Sequence, residues 1–286
     1  MRVKSERVRR FSQRTAFTLL LVSTVAVVAV TLYIVLRIAV DGAGTISWGF
    51  LTEPPSQAGK AGGIFPALVG TFYLMLGTLI VALPIGVLAG IYLAEYAPRN
   101  WLTKVINLAI INLAGVPSIV YGLFGLGVFV LMLKFGMSLL AASLTLACQA
   151  LAMTITTSRE ALLAVPAEYR QGSLAIGATR LQTIRHVILP QARPGIITGA
   201  VLAMSRAAGE SAPILVVGAA FLAPGLPQSP FDRFMALPYH LYTVATQVPG
   251  MPADTKWGVA LVLLAVVLSF NILAAVVRLR ARRQRG

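Results

Sequence analysis

Charge is scarce in this chain of 286 residues: Asp, Glu, Lys and Arg make up 12%, and only nine residues are acidic. That is about half the charged fraction of an ordinary soluble domain. A soluble fold could not cover the 57% that is hydrophobic, so lipid is the solvent for most of the chain; the mean hydropathy of +0.82 agrees. Cysteine is almost missing. Cys148 stands alone inside an apolar run, which excludes an internal disulfide and a cysteine metal cluster and makes it a packing residue. The two histidines, His186 and His240, have no neighbouring ligand set, so no metal site is expected. The one Gly-Lys pair, Gly59-Lys60, is followed by Ala61 and lacks P-loop spacing. No catalytic constellation, soluble domain, low-complexity tract or duplicated half is visible. If transport is active, its energy comes from a partner or an ion gradient.

What the chain does have is long apolar runs. Six, at roughly 16–36, 67–94, 105–133, 137–157, 195–223 and 257–277, are long enough to cross about 30 Å of hydrocarbon. The first has no small-residue cleavage site and reads as a retained helix rather than a signal peptide. The formal net charge is +15. In a soluble protein that would suggest nucleic acid, but here the basic residues flank the runs and act as topology signals, so no nucleic acid is expected. With the amino terminus inside, 18 of the 24 Lys and Arg residues fall on inner segments (around 2–14, 99–104, 159–193 and 278–285) and five outside, at Arg37, Lys60, Lys134, Arg233 and Lys256. Both termini are therefore expected to be cytoplasmic. The external connection 224–256 carries an amphipathic piece near Leu237–Gln247, expected at the membrane surface.

Within the spans, Gly86 and Gly90, and Gly195 and Gly199, are spaced four apart, where helices approach closely. Pro84 and Pro117 interrupt backbone hydrogen bonding, so their helices are expected to face the bundle interior. Arg206 and Glu210 are the exception to apolar composition. Four residues apart, they share a face if the segment is helical, and each costs about 2.5–3.5 kcal/mol at a membrane helix centre. Either they line a polar pathway, or they form an ion pair that joins helices. Ser118 and Tyr121, beside Pro117, divide the same way between pathway and packing. Ser211 reads as a helix-packing hydroxyl. Glu95, at the inner end of the second span, is expected to pair with a loop arginine, and Trp48, Trp101 and Trp257 mark span ends.

Residues 158–194, SREALLAVPAEYRQGSLAIGATRLQTIRHVILPQARP, form the longest inner segment. Pro166 is suited to start a short helix, Gly177 to break it, and Thr179 to cap a second that Leu189-Pro190 would stop. The pair is either a docking knob for a partner or a membrane-surface hairpin. The spacing of Gln171-Gly172-Ser173, Gly177, Val187 and Leu189-Pro190 resembles the EAA loop of ABC-transporter permeases: Glu-Ala-Ala, three residues, Gly, nine residues, Ile, one residue, Leu-Pro. The glycine and Leu-Pro match in register. The Glu-Ala-Ala positions depart, and Val187 stands for Ile. The stretches 62–96, 115–126, 206–215, 235–242 and 268–274 resemble the PstA-type permease of the phosphate importer. The sister PstC-type permease shares the Arg-x-x-x-Glu segment and the loop, while Leu237-Pro238-Tyr239 favours the PstA type.

The resemblance implies an all-α integral membrane protein with six transmembrane helices and a MetI-like ABC permease fold, in a bacterial inner membrane. It divides into a basic N-terminal segment 1–15, a first helix and external loop 16–61, a permease domain 62–280 with coupling loop 158–194, and a basic tail 281–286. It further implies a non-enzymatic subunit that pairs with a second permease (PstC-like), a dimer of ATPase subunits (PstB-like) holding ATP and magnesium, and an external phosphate-binding protein (PstS-like). No cofactor is expected in this chain itself. Arg206, Glu210, Ser118 and Tyr121 would serve the phosphate pathway. Gln171, Gly172, Ser173, Gly177, Leu189 and Pro190 would serve the ATPase contact. The sister PstC-type subunit, a permease for another oxyanion and, less favoured, a stand-alone secondary transporter or channel are the alternatives. Against the latter stand the absent inverted repeat and the few intramembrane carboxylates.

Overall fold

A computed structural model describes residues 6–223 and 225–283, with side chains described for 12–57, 59–223 and 225–279. Most of the basic N-terminal segment and the tail 281–286 thus lie outside the described side chains. Helix α1 (Glu6–Ala43) is followed by the short α2 (Trp48–Thr52) and a two-residue hairpin, β1 (Pro55–Ser56) against β2 (Ala61–Gly62). Then come α3 (Phe65–Ile91), whose end widens into a π turn over Tyr92–Tyr96, α4 (Trp101–Ala114) and α5 (Ser118–Gly125), which runs into a π turn at Leu126–Met132. Helix α6 (Leu139–Leu163) leads into α7 (Ala167–Ala175). Helix α8 (Arg180–Thr183) continues through a π turn at Ile184–Ile188 into α9 (Leu189–Gly209). The short α10 (Ala212–Leu215), α11 (Leu237–Thr246) and α12 (Ala253–Arg283) complete the order.

Five continuous helical stretches are long and apolar enough to cross a membrane: 12–43, 65–96, 139–163, 180–209 and 253–279. The pair α4 and α5 makes a sixth candidate if its two bent arms count as one span.

Helix α6 sits at the centre because both its sides are lined with small residues. On one side Gly86 and Gly90 of α3 lie so close to Thr154 and Ser158 that a methyl group on either glycine would come within 2.6 and 2.7 Å of them. On the other side, Gly195 of α9 abuts Ala161 and Gly199 abuts Thr157. The sequence spacing predicts both close approaches. Three buried threonine hydroxyls along this sandwich are satisfied within their own helices: Thr71 donates to the Ala67 carbonyl at 2.7 Å, Thr78 to Leu74 at 2.8 Å and Thr145 to Ala141 at 2.7 Å. That is the arrangement a low-dielectric interior demands. Helix α12 packs on α9, and α1 on α12, closest where Gly42 meets Trp257 and Leu261. Residues 12–34 of α1 are exposed on all sides.

Two expectations from hydropathy are corrected. The run 105–133 is not one straight helix: it breaks at Gly115–Pro117 and its arms diverge by 101°. Pro117 has no N–H to continue the helix and holds its own backbone extended. The run 195–223 is helical only to Gly209, because Pro213 cannot extend the helix and Glu210 turns extended (φ −78°, ψ 120°). The span itself starts earlier, at Arg180. Leu189-Pro190 accordingly does not stop the helix. The preceding π turn, in which the Leu189 N–H bonds to the Ile184 carbonyl, accommodates the proline. Helix α11 packs one face into the bundle and leaves Tyr242, Ala245 and Thr246 exposed on the other. Leu237, Pro238, His240, Thr243 and Val244 are buried, and Phe234–Leu237 is among the most enclosed segments of the protein. The Leu237 N–H donates to Thr71 Oγ1 at 2.8 Å, and the Ala220 N–H to the Phe234 carbonyl at 2.8 Å, so the connection is stitched into the bundle. Pro84 and Pro117 are themselves exposed, although α3 packs closely on α6.

Candidate functional site

Two groups of polar residues stand out in this apolar bundle. The first lies where α6 and α9 meet. Arg206 occupies the last turn of α9, where its charge complements the carbonyl end of the helix dipole. Glu210 follows the helix end, where the same dipole opposes a carboxylate, so it needs donors. It has two: Gln149 Nε2 donates to Glu210 Oε1 at 2.7 Å, and Arg206 Nε meets the same oxygen at 3.4 Å. The amide makes the tighter contact. Arg206 is 56% exposed and Glu210 18%. The terminal guanidinium nitrogens of Arg206 have no partner among the described residues. An exposed fork of N–H donors, held by one edge only, is suited to an oxyanion. Sequence spacing brings Arg206 and Glu210 together by a helical face, whereas the structure does so across a helix end.

Gln149 escapes the sequence reading. Its signal was a lone primary amide in the middle of an apolar run, the kind of residue that binds helices together in lipid. Its Oε1 is buried and has no hydrogen-bond partner among the described residues. Tyr121 is buried, and its hydroxyl donates to the Leu113 carbonyl at 2.8 Å. It therefore satisfies a carbonyl left free at the α4 break. Tyr121 also lies within electrostatic reach of Arg206. Ser118 is half-buried on the first turn of α5 and makes no hydrogen bond to the Arg206–Glu210 pair. Ser211 is half-buried at the start of α10. Beside Tyr121, a largely apolar groove of about 350 Å³ is lined by Val120, Phe124, Cys148 and Leu151.

The second group is the hairpin formed by α7 and the start of α8. Gly177 adopts φ +86°, a left-handed conformation that side chains resist, and this turns the chain. Thr179 caps α8 in a reciprocal box with Gln182. The Ser173 and Thr183 hydroxyls, 2.9 Å apart, close the hairpin. Gln171 and Gly172 are exposed, Leu189 packs into a cluster with Leu162 and Ile188, and Pro190 is exposed. Ile176 projects with 86% of its surface exposed, near exposed Leu174 and Leu181. A notch beside it is lined by Ser173, Gly177, Gln182, His186 and Val187. Behind the hairpin, Glu95 pairs with Arg170 at 2.8 Å, the loop arginine expected from the sequence. The described residues contain no cluster of His, Cys, Asp and Glu able to hold a metal ion.

Residues 86–285 match the family described as "Binding-protein-dependent transport system inner membrane component". The chain is 33% identical over 251 residues to "Probable ABC transporter permease protein YqgI" of Bacillus subtilis, covering 83% of this chain and 85% of the relative. It is also 33% identical to "Phosphate transport system permease protein PstA 1" of Mycobacterium tuberculosis, over 79% of this chain and 72% of the relative. Among solved structures, an inward-facing MetNI methionine ABC transporter superposes with a TM-score of 0.58 at 21% identity, covering 77% of this chain and 94% of that one, a likeness of fold. A helical bundle of membrane-length spans, a helix–glycine–helix hairpin at one end and a family match across most of the sequence lead to one statement: the chain belongs to the binding-protein-dependent, MetI-like inner-membrane permease subunits of ABC transporters.

Proposed function

We propose that this permease forms half of the pathway for inorganic phosphate in an ATP-driven importer, with Arg206 as the anion-binding residue. One observation carries the reading: a guanidinium more than half exposed in the last turn of α9, with its terminal nitrogens unpaired among the described residues. Glu210, shared with Gln149, holds the fork in place and keeps phosphate from being gripped too tightly to leave. The names of the relatives support phosphate as the anion. Tyr121 and Ser118 shape the wall nearby, with Tyr121 acting mainly to hold the α4–α5 break.

In this reading 62–280 is the permease domain and both termini are cytoplasmic. The hairpin within 158–194 docks into a dimer of cytoplasmic ATPase subunits, which hold ATP and magnesium. Exposed Ile176 and Leu181 and the adjoining notch support that docking. A second permease completes the pathway, and an external phosphate-binding protein delivers the ion. The test is binding-protein-stimulated ATP hydrolysis and uptake by the reconstituted complex, screened over phosphate, phosphonate and sulfate. Phosphate alone should stimulate both. Stimulation by another oxyanion and not by phosphate refutes the assignment.

A further inference from the structure

Helix α3 is remote in sequence from the hairpin 167–190, yet its end is tied to it by a single carboxylate. Glu95 stands in the π turn at the end of α3, with its side chain 9% exposed. Its Oε1 accepts from Arg170 Nε at 3.1 Å and from Arg170 Nη2 at 2.8 Å. The same guanidinium donates from Nη1 to the Val165 carbonyl at 2.6 Å and from Nη2 to the Leu162 carbonyl at 2.7 Å. Arg170 thus uses its planar fork to join three segments at once: the end of α3, the end of α6 and the first turns of α7. Arg180, at the start of α8, donates to the Glu95 backbone carbonyl and lies over the Tyr96 ring, 5.0 Å from its centre.

The rest of the hairpin needs no such tie. Helix α7 follows α6 after three residues, and α8 continues into α9. Only α3 must be reached through space. Ile91 and Ala94 also pack on Leu162, Val165 and Ile188, but apolar packing is non-directional and tolerates sliding. Two guanidinium donors, Nε and Nη2, converging on the one oxygen Oε1 are directional and charge-assisted, and so constrain both distance and angle. Both helices beside the hairpin carry a π turn at this level, Tyr92–Tyr96 and Ile184–Ile188, and such turns mark places where a helix serves function at the expense of regularity.

We propose that Glu95 is a positioning residue that transmits hairpin movement to α3, with Arg170 as the strut, so that ATPase closure reaches the helix packed against α6. The proposal rests on the coupling reading above.

The experiment uses the reconstituted complex of permeases, ATPase and binding protein, and measures phosphate transported per ATP hydrolysed. Glu95→Gln keeps the shape of the side chain and removes its charge. It should lower that ratio at least fivefold while assembled complex stays within twofold of wild type, and Glu95→Asp should fall between. A purely structural latch would lower the yield of complex and leave the ratio intact. An unchanged ratio, whatever the absolute rates, overturns the proposal. Should Glu95→Gln fail to assemble, Arg180→Gln, which loses the Glu95 backbone contact and the Tyr96 stacking but spares the ion pair, is read by the same ratio. A cysteine at Leu181, cross-linked to the ATPase in otherwise wild-type complex, reports separately on docking. No cross-link there refutes the coupling reading itself.

Discussion

Replacing Arg206 by Gln tests the pathway directly. The substitution keeps a polar side chain at the end of α9 and removes the charge and the fork. The two terminal nitrogens of Arg206 are without partners, so up to two charge-assisted hydrogen bonds to an oxyanion are at stake. Each contributes about 1.5–3 kcal/mol. Because Arg206 is 56% exposed, the lower end applies, for a total of about 3 kcal/mol. At about 1.4 kcal/mol per decade, uptake should fall on the order of 100-fold. Arg206→Lys keeps the charge but offers no planar fork, and should lose on the order of tenfold. The assay is initial-rate uptake of labelled phosphate into proteoliposomes, normalised to assembled complex. If the pair is instead structural glue, the single change should reduce assembly, and Arg206→Gln with Glu210→Gln together should recover it. Transport restored by that double variant would falsify the pathway role.

Gly177→Pro should spare membrane insertion and uncouple ATP hydrolysis from uptake, since proline cannot adopt φ +86°; Gly177→Ala, with open space around it, should cost about 1–2 kcal/mol of backbone strain and produce a milder defect in the same assay. Gly86→Leu would drive a side chain into Thr154 and should lower the detergent-solubilised thermal midpoint, at a cost of about 1–3 kcal/mol, with partial rescue by Thr154→Ala. His240 is buried against Phe221, and burial lowers its pKa to about 4 from 6.5. The unfolded chain therefore takes up the proton first, so this contribution to stability is intact above pH 6.5 and declines as pH falls toward 4, by about 3 kcal/mol in all. Thermal melts across that window should flatten in His240→Phe. In a Cys148→Ala background, cysteines at Ser5 and Gln284 should resist an impermeant thiol reagent in intact cells, and one at Gln57 should react; labelling at either terminus overturns the orientation.

The sequence reveals helix contacts better than helix continuity. Gly86, Gly90, Gly195 and Gly199 announce close packing because small residues at four-residue spacing have few other uses in lipid, and the structure puts all four against α6. Glu95 also finds its loop arginine, since a carboxylate at a span end has few partners to choose among. Hydropathy, by contrast, records only that a residue is apolar. It treats 105–133 and 195–223 as spans, although Pro117 and Pro213 break them. It marks α11 as amphipathic but does not say that His240 and Thr243 fall on the enclosed side. Gln149 went unseen for a related reason: one amide in an apolar run matters only once the neighbouring helix places a carboxylate within reach.

The double-sided packing of α6 also governs where this protein can bend. Helices α3 and α9 approach it at glycines, with no long side chains between to change rotamer and absorb displacement. Three helices in such contact keep their lateral spacing as a block, while sliding of α3 along its axis is governed at its end by Glu95 and Arg170. The freedom that remains belongs to the interruptions, at Gly115–Pro117 between α4 and α5 and at Glu210–Ser211 between α9 and α10. Arg206 and Glu210 straddle the second of these, one on the block and the other just beyond it. Under the proposed pathway role, opening and closing at that joint would change their separation directly, so one hinge would govern both the grip on an anion and the shape of the passage.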